Sequence, residues 1–237
     1  MWPFTSRTSL QGSGFFQGFT EMHCHLLPGV DDGVKTMEET LDLLKRYEAL
    51  GIRKVWLTPH IMEDVPNETD FLRRRFDELK VEYKGQIELR LAAENMIDNL
   101  FQRRLESNDF LPIGDHQNHL LVETSFYNPP MGLLEILEKT KARGYYPLLA
   151  HPERYLYMEE KDYRELKKRG IKFQVNLGSL VGIYGPEVRN RAEWLLKQNL
   201  YDFAGTDTHR MQMLSSIVEP EAVKTSVISK LMSLSAR

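Results

Sequence analysis

The chain has 237 residues, 41% hydrophobic and 27% charged, which is enough for one sizeable core. A net charge of −3 provides no electrostatic hold on nucleic acid or anionic lipid, so no nucleic-acid partner is expected. The single cysteine, Cys24, excludes an internal disulfide, no apolar run reaches the roughly 18 residues of a membrane span, and Met1–Thr20 lacks a signal-like apolar stretch; a cytoplasmic protein without membrane insertion is expected.

Residues 1–18, rich in Gly, Ser, Gln and Phe, read as an N-terminal extension before a domain over 19–237. Phe15, Phe16 and Phe19 are expected to pack on their own chain, with a homo-oligomer contact as the alternative. Phe19–Leu27 predicts a strand ending in His-Cys-His. Thr36 and Glu39 then form a capping box, and Gly51 closes the helix they start.

The alternation continues. Lys54–Thr58 is a strand, Glu68–Tyr83 a helix and Ile87–Ala93 a third strand. A helical or irregular stretch over Met96–Ser107 leads to a strand at His119–Glu123. Helix Met131–Arg143, strand Tyr146–Ala150, helix Lys161–Arg169 and strand Lys172–Leu177 follow. Helix Pro186–Gln198, strand Tyr201–Gly205 and a last helix from about Glu219 complete the chain. Seven strands each followed by a helix imply parallel βα units. Without a Gly-x-Gly-x-x-Gly fingerprint, a closed or nearly closed barrel is favoured over an open doubly wound sheet, which the sequence does not exclude.

The informative residues fall at strand ends. His23 and His25 end the first strand, His60 follows the second, Glu94 the third, Glu123 ends the fourth, His151 follows the fifth, and Asp207 and His209 follow the seventh. Active sites of (β/α) barrels lie at the C-terminal ends of the strands. Any one of these side chains alone is explained by a cap or a surface hydrogen bond; their gathering at six strand ends is not. Alternate residues of a strand share a side, so His23 and His25 reach one ion while Cys24 faces away; Asp207-Thr-His209 repeats the spacing. Imidazole with carboxylate suits Zn, Mn or Fe better than Mg or Ca alone, and Glu94 has the two oxygens needed to bridge ions. Asp31-Asp32-Gly33 is equally an Asx turn or a source of one ligand. His116 and His119 precede the fourth strand and stay outside this set.

Other nucleophiles find no support. A cysteine phosphatase needs Arg six residues beyond its Cys, and Val30 stands there; Cys24 reads as a buried thiol. There is no Gly-x-Ser-x-Gly elbow.

The motifs Met22-His-Cys-His-Leu-Leu-Pro-Gly-Val-Asp-Asp-Gly33, Thr58-Pro-His60, Ala93-Glu94, Leu121-Val-Glu123, Ala150-His-Pro-Glu-Arg154 and Gly205-Thr-Asp-Thr-His209 resemble the polymerase and histidinol phosphatase (PHP) superfamily. They look most like its bacterial manganese-dependent protein-tyrosine phosphatases, found with capsule and exopolysaccharide genes. The resemblance implies a distorted (β/α)7 barrel of the metal-dependent hydrolase type with two or three divalent ions. Mn²⁺ is expected, with Fe, Zn, Co or Mg as other candidates.

By motif, His23, His25, Glu94 and Asp207 would hold the first ion; Glu94, Glu123 and His151 the second; Asp32, His60 and His209 the third. Arg154 matches an Arg that binds the substrate phosphate. A second family Arg stands several residues past the last His, whereas Arg210 follows His209 directly; Thr206 replaces the usual Ser. The implied reaction is in-line attack on phosphorus by metal-activated hydroxide, since metals lower the pKa of bound water to about 7. The implied substrate is a phosphotyrosine protein, the tail of a bacterial capsule tyrosine kinase. Histidinol phosphate, a nuclease substrate and a barrel that has lost catalysis are the rival readings, and the low basic content disfavours the nuclease.

Overall fold

The structure is a computed structural model that describes residues 6–116 and 118–235. Met1–Thr5, part of the predicted extension, and the last two residues of the predicted final helix lie outside the described residues. The chain opens with β1 (Arg7–Thr8) and β2 (Thr20–Cys24), then α1 (Met37–Leu50). The capping box is present: Thr36 Oγ1 accepts from the Glu39 N–H at 3.2 Å, and Glu39 Oε2 accepts from that of Thr36 at 3.0 Å. Gly51 ends α1 at φ 94°, a conformation that costs glycine little.

The second predicted strand, Lys54–Thr58, is β3 (Lys54–Leu57), and after a break the chain resumes as β4 (His60–Ile61). Pro59 between them has no N–H to give to a ladder. After α2 (Thr69–Glu82) the third strand is split in the same way, into β5 (Glu88–Leu91) and β6 (Glu94–Met96). There the Ala93 N–H leaves the sheet for the carbonyl of Leu111. Helix α3 (Asn99–Ser107) is capped by Asp98 and leads to β7 (His119–Glu123). Next come α4 (Leu133–Ala142), β8 (Tyr146–Ala150), a 3-10 turn at Pro152–Arg154, α5 (Glu160–Lys168) and β9 (Lys172–Asn176).

The last part holds α6 (Leu177–Val181), α7 (Pro186–Lys197), β10 (Phe203–Gly205), α8 (Met211–Val218), β11 (Val223–Lys224) and α9 (Thr225–Ser235). The last helix, predicted from about Glu219, begins instead at Thr225, and α8 before it was not predicted. Pro220 stops α8, and β11 pairs antiparallel with β1 before α9 begins.

The strands form two parallel sheets, β2-β3-β5 and β4-β6-β7-β8-β9-β10, beside the small β1–β11 pair. The fold is mixed α/β with parallel sheets; a single closed sheet is not found among the described residues. The interruptions keep register, since Leu57 faces Leu91 and His60 faces Glu94. At the other edge the Asp207 N–H donates to the His23 carbonyl at 2.7 Å and the His25 N–H to that of Thr208 at 2.9 Å. The aromatic tail packs on its own chain: Phe15, Phe16 and Phe19 are buried, with ring centroids 5.0–5.6 Å apart. Each such burial is worth about 1.5–3 kcal/mol. No described helix is long and apolar enough to cross a membrane.

Candidate metal centre

The nine predicted ligands converge at the C-terminal ends of the parallel strands. His23 and His25 project from β2 to the same side, with their Nε2 atoms 3.2 Å apart. His23 Nε2 lies 3.0 Å from Glu94 Oε2 and 3.5 Å from Asp207 Oδ1; His25 Nε2 lies 3.3 Å from each. The pairing of β4 with β6 puts His60 beside Glu94, and that of β6 with β7 puts Met96 beside Glu123. His60 Nδ1 is accordingly 3.2 Å from Glu94 Oε2 and 3.1 Å from Glu123 Oε1. His151 Nε2 approaches the other Glu94 oxygen at 3.1 Å. Glu94 thus faces four imidazoles with its two oxygens.

Asp32 faces the Nε2 atoms of His60 and His209 at 3.6 and 3.3 Å. Asp31 points elsewhere: Oδ2 accepts from His25 Nδ1–H at 2.8 Å and from the His60 N–H, while Oδ1 closes an Asx turn on Gly33. Asp31 makes the Asx turn, and Asp32 is the aspartate turned towards the His60 and His209 imidazoles. Gly33 is required, since a Cβ there would lie 2.1 Å from the His25 carbonyl oxygen.

Outer contacts fix the ring faces. His23 Nδ1–H donates to Gln174 Oε1 at 3.0 Å, and His209 Nδ1–H to the Asp207 carbonyl at 2.8 Å. With Asp31 on His25, three rings are held so that Nε2 is presented to the cluster. Asn176 Nδ2 donates to Asp207 Oδ2 at 2.8 Å. Asp207 and His151 both adopt left-handed backbone, φ 55° and 33°, a cost tolerated most often at functional sites.

The donor set fits divalent cations. His25, Asp32, His60 and His209 form one group, His23, His25, Glu94 and Asp207 a second, and His60, Glu94 and Glu123 a third, each with ligand atoms within 4.8 Å of one another. His60 Nδ1, Glu94 Oε2 and Glu123 Oε1 are buried, within 3.2 Å of a neighbour, and yet align no hydrogen bond. A shared cation would satisfy all three.

Electrostatics agree. Burial disfavours a charged His23, but Glu94 and Asp207 override it and push the imidazole up to about 9. Burial opposes ionisation of Glu94 too, and the surrounding His23 and His60 hold it well below the carboxylate range. Positive charge is what this cluster is built to receive. Cys24, turned away, is pushed up by burial, and its Sγ contacts the Trp56 carbonyl, so it is a packed thiol.

A cavity of about 360 Å³ opens over these ligands. Arg154 enters it between two rings, its guanidinium 4.2 Å from the centroids of both Phe126 and Tyr184, and donates to Asp207 Oδ2 at 3.1 Å. Met62, Met96 and Met213 complete an apolar wall. Arg210 lines the same cavity from the exposed start of α8. A larger cavity, about 450 Å³, lies beside Trp56 and His119 at the opposite ends of the strands; none of the metal-ligand groups lies there. His116 and His119 belong to that end.

Sequence reasoning missed Phe126, Tyr184, Gln174 and Asn176. The last two carried a signal, polar side chains alternating with Phe173 and Val175 on one strand. Tyr184, in the loop between α6 and α7, carried none.

The family model described as "Capsular polysaccharide synthesis, CpsB/CapC" matches residues 19–223. The chain belongs to the CpsB/CapC family. Relatives include the tyrosine-protein phosphatase YwqE of Bacillus subtilis, 29% identical over 198 residues, covering 81% of this chain and 78% of YwqE. The tyrosine-protein phosphatase CpsB of Streptococcus pneumoniae is 29% identical over 213 residues, covering 81% of this chain and 83% of CpsB. Among solved structures, one reported for YwqE from B. subtilis and CpsB from S. pneumoniae as unique metal-dependent tyrosine phosphatases aligns with TM-score 0.76 at 24% identity, covering 90% of this chain and 86% of that one. That likeness carries the fold. The matched range includes every candidate ligand from His23 to His209, and Arg154 and Arg210.

Proposed function

We infer that this CpsB/CapC chain is a metal-dependent phosphatase that hydrolyses phosphotyrosine in proteins. The observation that carries the reading is the joint placement of Glu94 among four imidazoles and of Arg154 at the mouth of the same cavity. His23, His25, Glu94 and Asp207 would hold one ion, Glu94, Glu123 and His151 a second, and Asp32, His60 and His209 a third; the shared cluster supports two or three ions, Mn²⁺ foremost. When bound, such ions acidify water and neutralise phosphoryl charge.

Arg154 would bind non-bridging phosphate oxygens, its fork held flat by Phe126 and Tyr184. Arg210, which lines the same cavity, would supply a second cation. The Met and aromatic wall suits a phenyl ring, and a tyrosyl leaving group of pKa about 10 departs with less protonation than an alkoxide. The reading extends to a cytoplasmic enzyme acting on a capsule-linked tyrosine kinase. It also takes residues 1–18 as an extension on a domain over 19–237, and the two parallel sheets as arcs of one distorted barrel.

The test is to strip the protein with chelator, restore Mn²⁺, and compare hydrolysis of a phosphotyrosine peptide with that of histidinol phosphate. Metal-dependent preference for the peptide is expected. Preference for histidinol phosphate would keep the metal centre and overturn the substrate assignment.

A further inference from the structure

The loop leaving β7 carries Phe126 into the cavity and continues as Tyr127-Asn-Pro-Pro-Met131-Gly132 towards α4. Its apolar side chains are not buried: Tyr127 is 72% and Met131 96% exposed, and Leu134 and Leu156 are exposed near them. Next to this loop, between the starts of α4 and α5, lies a groove of about 610 Å³ walled by Pro129, Pro130, Leu133, Leu134, Tyr157 and Met158. Its charged lining is Glu135, Asp162 and Glu165; Glu135 pairs with Lys139, Glu165 with Arg169, and Asp162 accepts from the Glu159 N–H.

The groove and the metal centre lie on either side of one short loop and share a stack of rings whose middle member, Tyr155, is buried. Phe126, in contact with the Arg154 guanidinium, stacks on Tyr155 at 6.2 Å, and Tyr155 stacks on Tyr157, a groove wall, at 5.8 Å. Phe126 and Pro129 are three positions apart, so the loop between cavity and groove spans at most about 10 Å. Exposed apolar surface rimmed by charge marks a binding site, and carboxylates whose own ion pairs are solvent-exposed and weak stay open to a cationic partner.

We propose that this groove docks the polypeptide carrying the phosphotyrosine, and that it takes an apolar side chain and a Lys or Arg roughly three to five residues from that tyrosine. The proposal rests on the phosphotyrosine reading above. Area and charge in the groove act on binding, so the effect falls on KM of extended substrates and spares small ones.

The test uses the metal-loaded full chain and three probes: free phosphotyrosine, a phosphotyrosine peptide with Leu and Lys at the stated distance, and the same peptide with Ser and Glu there. The Leu/Lys peptide is expected to show a KM about tenfold below that of the Ser/Glu peptide. Met131→Glu and Leu134→Glu, both at exposed positions, should each erase most of that advantage and leave kcat/KM on free phosphotyrosine unchanged. Glu165→Lys should shift preference towards the Glu-bearing peptide. Equal KM for the two peptides, or variants that lose activity equally on free phosphotyrosine, would overturn the groove alone. Variants that change the sedimenting species from dimer to monomer with peptide KM intact would assign the face to a second copy and overturn it too. Failure of the unaltered enzyme on free phosphotyrosine would instead overturn the functional reading, and the groove with it.

Discussion

The most exacting prediction concerns the two rings that clasp Arg154. Phe126→Leu keeps an apolar side chain in the cavity wall and removes one of the two faces, 4.2 Å from the guanidinium. Arg154 is mostly buried, with 19% of its side chain exposed, so the contact sits towards the desolvated end of the range, about 1–2 kcal/mol. If that energy serves to hold the fork against the phosphate, kcat/KM on a phosphotyrosine peptide falls about 5- to 30-fold. Phe126 also lies 5.9 Å from His151 and 6.2 Å from Tyr155, so a loss alone does not name its cause. A double-mutant cycle does: with Arg154→Ala as background, Phe126→Leu should cost less than about twofold. Phe126→Tyr, which keeps the face, should stay near the unaltered rate. An equal loss in both backgrounds would refute the reasoning and return Phe126 to a packing role.

Asp31→Asn leaves every proposed ligand in place but weakens the charge that orients His25; metal affinity measured by competition with a chelating dye should fall about 10- to 100-fold. Removing the ions from the loaded protein should lower its melting temperature, because ligands held at 100 times their Kd stabilise a fold by about 2.7 kcal/mol; an unchanged melting curve with confirmed metal loss would contradict the buried cluster. Phe16→Ala, at a fully buried site in the aromatic tail, should destabilise by about 3–5 kcal/mol in urea titration, against near zero for a tail that merely rests on the surface.

What was legible followed from chemistry that has no ordinary use at strand ends. His23, His25, Glu94, Glu123, His151 and Asp207 are charged or titratable side chains at 0–4% exposure, and burying such groups is costly unless they pair or bind ions. A pattern of that kind shows in sequence because each residue sits at a fixed offset from an apolar run. Phe126 and Tyr184 did not show, since a ring in a loop is ordinary until its neighbours are known. Between Asp31 and Asp32 only the family motif, which put Asp32 at the third ion, made a choice; local pattern made none. Adjacent aspartates differ there by backbone direction, which is set by the Asx turn at Gly33 and by the N–H of His60, 29 residues away. The start of the final helix was misplaced for a different reason: β11 owes its existence to β1, a partner more than 200 residues distant that no local pattern announces.

The interrupted strands were invisible for a related reason, and they explain the shape of the site. Across Thr58-Pro59 and Ala92-Ala93 the register is unbroken, but the neighbours change: β5 pairs only with β3, whereas β6 pairs with both β4 and β7. Below the break, the Leu111 carbonyl takes the Ala93 N–H and Ile113 bridges His119, so the segment before β7 stands where a continuous sheet would have joined β5 to β7. Among the described residues β5 and β7 therefore stay unpaired with each other below the break, near the larger cavity beside Ile113 and Trp56, whereas β4, β6 and β7 pair above it. That pairing brings His60, Glu94 and Glu123 within hydrogen-bonding distance from three separate strands. Gly205 serves the same closeness on the far side, where a Cβ would fall 2.7 Å from that of His23. Continuity of the sheet is given up at the end that holds no metal-ligand group, and kept at the end where ligand spacing must be held to a fraction of an ångström.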